Sequence, residues 1–177
     1  MREHIHKFQW YYLTFLAIVF VSLAAYYVIH FGYYPVAVVN SKVITAGELN
    51  DEYAVAHRYY IGAALLSGKD INVDSQEFRK ELRRAALNDL VEKVLISQEL
   101  KNRVGKNLNG IVESKINFAP NAKKDLEEAA KLLYGLSLAE FEEMVLVPKA
   151  EREILEGRLF LEKTDLETWL SEAAKNA

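Results

Sequence analysis

Residues 74–105 read DSQEFRKELRRAALNDLVEKVLISQELKNRVG, and this stretch sets the architecture. Asp74-Ser75-Gln76-Glu77 offers an N-cap oxygen followed by a first-turn carboxylate, which suits the positive end of a helix. Phe78, Leu82, Ala86, Leu90 and Val94 then recur every fourth residue, with Leu95 beside the last. Further apolar rows at Leu87, Val91, Ile96 and Leu100 widen the stripe until the second half is apolar nearly all round. A helix of that kind is buried by its neighbours. Gly105 stops it. This long helix is expected to be the hub of the fold.

On its N-terminal side, Thr45-Ala46-Gly47-Glu48 forms a capping box, in which hydroxyl and carboxylate each satisfy an orphan backbone N–H. The helix it opens places Leu49, Tyr53, Ala56, Tyr60 and Ala63 on one face. Gly68 suits its C-terminal cap. Before it, Val36–Val39 and Lys42–Thr45 are β-branched runs separated by Asn40-Ser41, the pattern of a small hairpin. Serine is a poorer second turn residue than glycine, which leaves the turn type open. Two strands alone are marginal in water and must pack on a helix.

On the C-terminal side, Gly110–Ile116 reads as helical until Ala119-Pro120, where proline restricts its predecessor. Helix resumes near Ala122 and closes at Gly135. A second capping box, Ser137-Leu138-Ala139-Glu140, opens a short helix carrying Phe141, Met144 and Val145. Pro148 kinks or restarts it, and helix continues through Ile154, Leu155, Leu159 and Phe160. Thr164-Asp165-Leu166-Glu167 has the pattern of a third box, before an amphipathic piece with Trp169 and Leu170. The expected fold is all-α, with one small N-terminal hairpin.

The N-terminus is of another character. Residues 8–41 contain no Asp, Glu, Lys or Arg, and Trp10–Ile29 is an almost unbroken apolar run. As a helix it would be about 30 Å long, the thickness of a hydrocarbon core. Its ten Leu, Ile, Val and Phe residues supply at most about −3 to −6 kcal/mol toward insertion. Trp10, Tyr11 and Tyr12 at one end, and Tyr26 and Tyr27 at the other, match interfacial aromatic belts. The division of the chain is then a cytoplasmic tail at 1–9, a transmembrane helix at 10–30, a helical domain at 36–163, and a helix or linker at 164–177. A cleaved signal peptide ending near Ser22-Leu23-Ala24 is the competing reading, but the apolar run continues past that site. Arg2 and Lys7 precede the span, whereas Glu48, Asp51 and Glu52 soon follow Lys42. The positive-inside bias therefore puts the domain outside the cytoplasm.

Composition narrows the function classes. The 177-residue chain has a net charge of −3, which disfavours a nucleic-acid partner. With no cysteine, disulfides, thiolate metal sites and cysteine nucleophiles are excluded. Of the four histidines, His4 and His6 lie on the N-terminal tail, His30 ends the span, and His57 stands alone. No triad, metal site or imidazole-based isomerase centre is expected from these positions. His57-Arg58 reads as a solvated helix face. The eight glycines are dispersed and form no phosphate loop. No cofactor, metal or catalytic residue is expected.

These residues together resemble the N-terminal chaperone module shared by the SurA, PpiD and PrsA groups of exported or membrane-anchored foldases. The resemblance rests on the strand–turn–strand of Val36–Thr45 and on Arg83, Leu87, Leu90, Val91, Glu92, Leu95, Ile96, Glu99 and Leu100 of the long helix. Leu136-Ser137-Leu138-Ala139-Glu140-Phe141 adds a later helix start. It spans residues 36–163, and the uncleaved span is most like the PpiD arrangement. Ser41 departs from the usual turn glycine, and Asn107–Asn117 lacks the expected cap after Gly105. The parvulin-type prolyl isomerase domain that usually follows is not expected within these 177 residues.

The resemblance implies a non-catalytic holdase for unfolded or newly exported polypeptides, anchored in the bilayer of the inner membrane. Tyr53, Tyr59, Tyr60, Ile61, Phe78 and Leu82 are the candidate client-binding residues. The plain alternative is that the stripe members among them pack the core, so the off-stripe pair Tyr59 and Ile61 carries more weight. Two other functions stay open: a scaffolding subunit docking a membrane protein complex, and the client-binding part of an isomerase whose catalysis is supplied in trans. If the topology is right, protease added to spheroplasts will digest everything after Pro35, and full protection would refute it.

Overall fold

The computed structural model describes residues 2–67, 72–117 and 120–177. Helix α1 spans Arg2–His30, and strands β1 (Pro35–Val39) and β2 (Lys42–Thr45) form an antiparallel hairpin. Helices α2 (Ala46–Ser67) and α3 (Gln76–Val104) follow. The rest is α4 (Leu108–Ile116), α5 (Pro120–Ala129), α6 (Leu138–Phe141), α7 (Val147–Leu161) and α8 (Leu166–Lys175). Wide π-helical turns at Ala130–Tyr134 and Glu142–Leu146 continue α5 and join α6 to α7. The expected all-helical class with one small hairpin and an N-terminal apolar helix is what the chain adopts.

Local chemistry accounts for most boundaries. The Ser75 hydroxyl accepts from the Phe78 N–H to start α3, and Gly105 ends it. Thr45 and Glu48 exchange hydrogen bonds of 2.7 and 3.2 Å, and Ser137 and Glu140 do the same at 2.8 and 3.3 Å. Both residues of the hairpin turn have positive φ, Asn40 at 46° and Ser41 at 70°, so it is a type I′ turn. The Gly68 cap expected for α2 lies outside the described residues.

Helix α1 runs from Arg2, and its apolar part is Trp10–His30. Two expectations are corrected. The third capping box does not form: Asp165 is the N-cap of α8 and accepts from the Thr168 N–H at 3.0 Å. Thr164 is already engaged, since its N–H donates to Leu159 O to close α7, with Lys163 left-handed at φ 61°. Helix α4 starts two residues before Gly110, after a 3₁₀ turn at Gly105–Asn107.

Helix α3 divides the core. Ile96 and Leu100 join Leu108, Val112, Leu155, Leu159, Leu166 and Leu170 in the larger cluster. Leu95 faces the other way, onto Val39 and Ile44 of the hairpin. Trp169 of α8 packs against both clusters and ties them together. Helix α8 is therefore part of the packed domain. Leu95 is 3% exposed, so Leu95→Ala should cost roughly 2–5 kcal/mol. Half-buried Leu90 should cost less, and exposed Leu132 within about 0.5 kcal/mol. Urea denaturation midpoints test this order.

Candidate functional site: a cleft between α2, α3 and α7

A cleft of about 320 Å³ opens between α2, α3 and the segment from Tyr134 to Arg152. From α2 come Glu52, Val55, Ala56, Tyr59 and Tyr60, which helical spacing brings to one side. Asp89, Glu92, Lys93 and Ile96 come from α3, and Tyr134, Met144, Val145 and Pro148 form the opposite wall. That wall is drawn close at Gly62, where a Cβ would meet Leu133 at 3.4 Å. Arg58 Nη1 adds a hydrogen bond to Gly135 O at 3.3 Å. The two π-helical turns carry Tyr134 and Met144, and such turns often occur at functional sites.

A run of aromatic contacts follows the cleft. Phe78 meets Tyr60 edge-on at 5.5 Å, Tyr60 meets Tyr59 at 5.9 Å, and Tyr59 stacks on Tyr134 at 5.2 Å. Tyr134 in turn touches buried Phe141 at 5.0 Å. Tyr59 and Tyr60 nevertheless stay 39% and 41% exposed. Rings held by neighbours yet open to water present apolar area at little entropic cost, with a polar tip.

Charge lines another part of the cleft. Lys93 Nζ lies 2.7 Å from Glu52 Oε2, 2.8 Å from Asp89 Oδ2 and 3.5 Å from Met144 O. Arg152 bridges Glu92 at 2.7 Å and Glu167 at 2.6 Å. Burial opposes the Lys93 charge, but its bonds to Asp89 and Glu52 outweigh that and hold its pKa above the ordinary value. Glu52 is pushed up, first by burial and then by sharing one lysine with Asp89, although Lys93 itself pulls the other way. The carboxylates are thus engaged by cations. The aromatic and aliphatic lining beside them is suited to holding apolar groups.

The sequence-derived client residues are dispersed by the fold. Tyr59 and Tyr60 line the cleft, and half-buried Phe78 supports Tyr60. Leu82 is in the core. Tyr53 stacks on His57 at 5.6 Å, and Ile61 is half-buried away from the cleft lining. His57 is consequently not on a solvated face: its Nε2 is buried without a hydrogen-bond partner, because the stack turns the ring inward. Arg58 beside it is exposed, as expected. Sequence reasoning missed Tyr134, Met144, Val145 and Pro148. The signal was Met144–Pro148, five successive apolar residues, more than one helix face buries.

Trp10, Tyr11, Tyr12, Tyr26 and Tyr27 are all exposed on α1. From Trp10 to His30 this helix is long and apolar enough to cross a membrane, and none of it is buried. The two aromatic groups stand about 24 Å apart along its axis. Among the described residues no group of three or more His, Cys, Asp or Glu side chains could hold a metal.

The ion cluster makes a pH prediction. A raised Glu52 pKa means the folded state binds this proton more tightly, so its contribution to stability falls as pH rises from 4.5 through the raised value. Lys93→Met leaves that carboxylate unpaired and should cost about 1–3 kcal/mol at pH 7. The loss should shrink as pH falls below the raised Glu52 value, where that carboxyl is neutral and no longer needs the ammonium. Urea midpoints at pH 7 and pH 4 check it; equal losses at both would mean the pair is not the cause.

No curated protein and no solved structure matches the chain. A family model described as SurA-like N-terminal domain matches residues 1–128. The match takes in α1, the hairpin, α2, α3 and the Tyr59–Tyr60 wall of the cleft, while the Tyr134–Arg152 wall lies beyond it. The chain therefore belongs to the SurA-like N-terminal domain family.

Proposed function

We propose that the chain is a membrane-anchored extracytoplasmic holdase, which binds unfolded segments of newly exported polypeptides in the α2–α3–α7 cleft and catalyses nothing. The observation that carries this reading is the pair Tyr59 and Tyr60, exposed but braced by Phe78 and Tyr134, on the wall that falls within the family match. Membership of a chaperone-type, extracytoplasmic family supports it. The anchor is the uncleaved α1, crossing the inner membrane once with its N-terminus in the cytoplasm. Continuity of α1 through Ser22-Leu23-Ala24 into the domain supports retention over cleavage.

A second reading has its own observation. Phe160 and Leu161, at the end of α7, are 79% and 82% exposed beside a recess of about 640 Å³. Adjacent exposed apolar side chains of this size fit a scaffolding surface for a membrane partner.

The test is suppression of aggregation of an unrelated unfolded protein by the full chain in nanodiscs, without nucleotide. Capture should be broad and weak, since the client must be ordered on binding, and it should persist in salt because its driving force is apolar burial. Tyr59→Ser with Tyr60→Ser should weaken capture strongly while costing about 1.5–4.5 kcal/mol, the worth of the three aromatic pairs it removes. Leu95→Ala should do the reverse, lowering stability but sparing capture while folded. If capture depends on Phe160 and Leu161 and not on the tyrosines, the scaffolding reading replaces this one.

A further inference from the structure

The end of α1 and the start of α2 are joined backbone to backbone. Helix α1 closes in a Schellman arrangement, with Gly32 at φ 68°, its N–H donating to Ile29 O at 3.2 Å and the Tyr33 N–H to Val28 O at 3.0 Å. The next carbonyls serve α2, whose first four N–H groups need partners from outside the helix. The Ala46 N–H donates to Tyr34 O at 3.0 Å, the Gly47 N–H to Gly32 O at 2.9 Å, and the Glu48 N–H to Thr45 Oγ1 at 3.2 Å. Two of these α2 donors are thus satisfied by the segment that terminates α1.

At Gly32 only a glycine permits this approach. A Cβ there would stand 2.7 Å from Gly47 N and 3.0 Å from its Cα, at a φ of 68°, whereas one on Gly47 would make an ordinary contact with Phe31 O at 3.4 Å. Gly32 is buried, unlike a residue in a loose tether. The same corner pins both roots of the hairpin, since Pro35 pairs with Thr45. The hairpin then reaches α3 through Val39 and Ile44.

We infer that the Gly32–Gly47 contact is a rigid mount that fixes the domain, and with it the cleft, at one orientation relative to α1. On the anchored-holdase reading, on which this consequence rests, the cleft is held at a set height above the bilayer and does not sweep around a flexible stalk. The mount itself is a property of the chain, and its test involves no client.

The absence of cysteine makes labelling clean. Spin labels at Ile29→Cys and Asn102→Cys read a distance across the mount, and labels at Arg79→Cys and Asn102→Cys read one along α3, about 35 Å. All three positions are exposed. Double electron–electron resonance on the full chain in nanodiscs should give a distribution across the mount as narrow as that within α3. Gly32→Val should broaden the first and leave the second unchanged. A Gly-Ser-Gly-Ser insertion between Tyr34 and Pro35 should broaden it likewise, without placing a side chain at a positive φ. A wild-type distribution across the mount much broader than within α3 overturns the inference, as does a narrow one in both variants. A narrow wild-type distribution with no client capture would overturn the holdase reading and leave the mount standing.

Discussion

Leu95 and Ile96 are neighbours in sequence, yet one faces the hairpin and the other the α4–α7–α8 cluster. That division, about 100° around one helix axis, is the constraint from which the arrangement follows. A helix apolar on one face can be covered by one layer, but α3 between Leu90 and Leu100 is apolar on several. It must be enclosed, and chain segments before and after it supply the two covers. The hairpin needs α3 as much as α3 needs the hairpin, since two strands expose one face without a support. Trp169 closes the arrangement by touching both clusters, which makes the last helix a partner in the packing of the first strands.

What was legible in the sequence was local. Capping at Thr45–Glu48, Ser75 and Ser137–Glu140 depends on three-residue spacings, and the apolar run of α1 and the stripes of α3 depend on composition and period. Failures came where one local pattern competed with another. Thr164 has the spacing of a cap, but the C-terminal closure of α7 takes its N–H first, and Asp165 is left to start α8. His57 looked solvated beside Arg58, but stacking on Tyr53 four residues away draws its ring inward. The first outcome cannot be seen from one helix alone, and the second is an i,i+4 pairing within α2 itself.

The cleft was only half legible for a similar reason. Tyr59 could be singled out because it falls off the stripe of α2, whereas its partner Tyr134 lies 75 residues later, on a π-helical turn. Contacts at such separation are set by how α5 and its extension lie across α2, where Gly62 faces Leu133 and Arg58 reaches Gly135. The family match ends before Tyr134, so only the α2–α3 wall of the cleft falls within it.

The Lys93 cluster explains how a cleft open to solvent keeps its shape. Three elements meet at one ammonium: α2 through Glu52, α3 through Asp89, and the turn before α7 through Met144 O. Partly buried ion pairs contribute little net stability, because desolvation offsets much of the attraction, but they penalise any arrangement that separates the partners. Apolar contacts have the opposite character: they are strong and non-directional, and they tolerate sliding. A binding surface made only of Tyr59, Tyr60, Met144 and Val145 would gain stability by collapsing on itself. With Lys93 and its carboxylates set between the walls, full closure would strip water from charged groups, and the aromatic area remains available to a ligand.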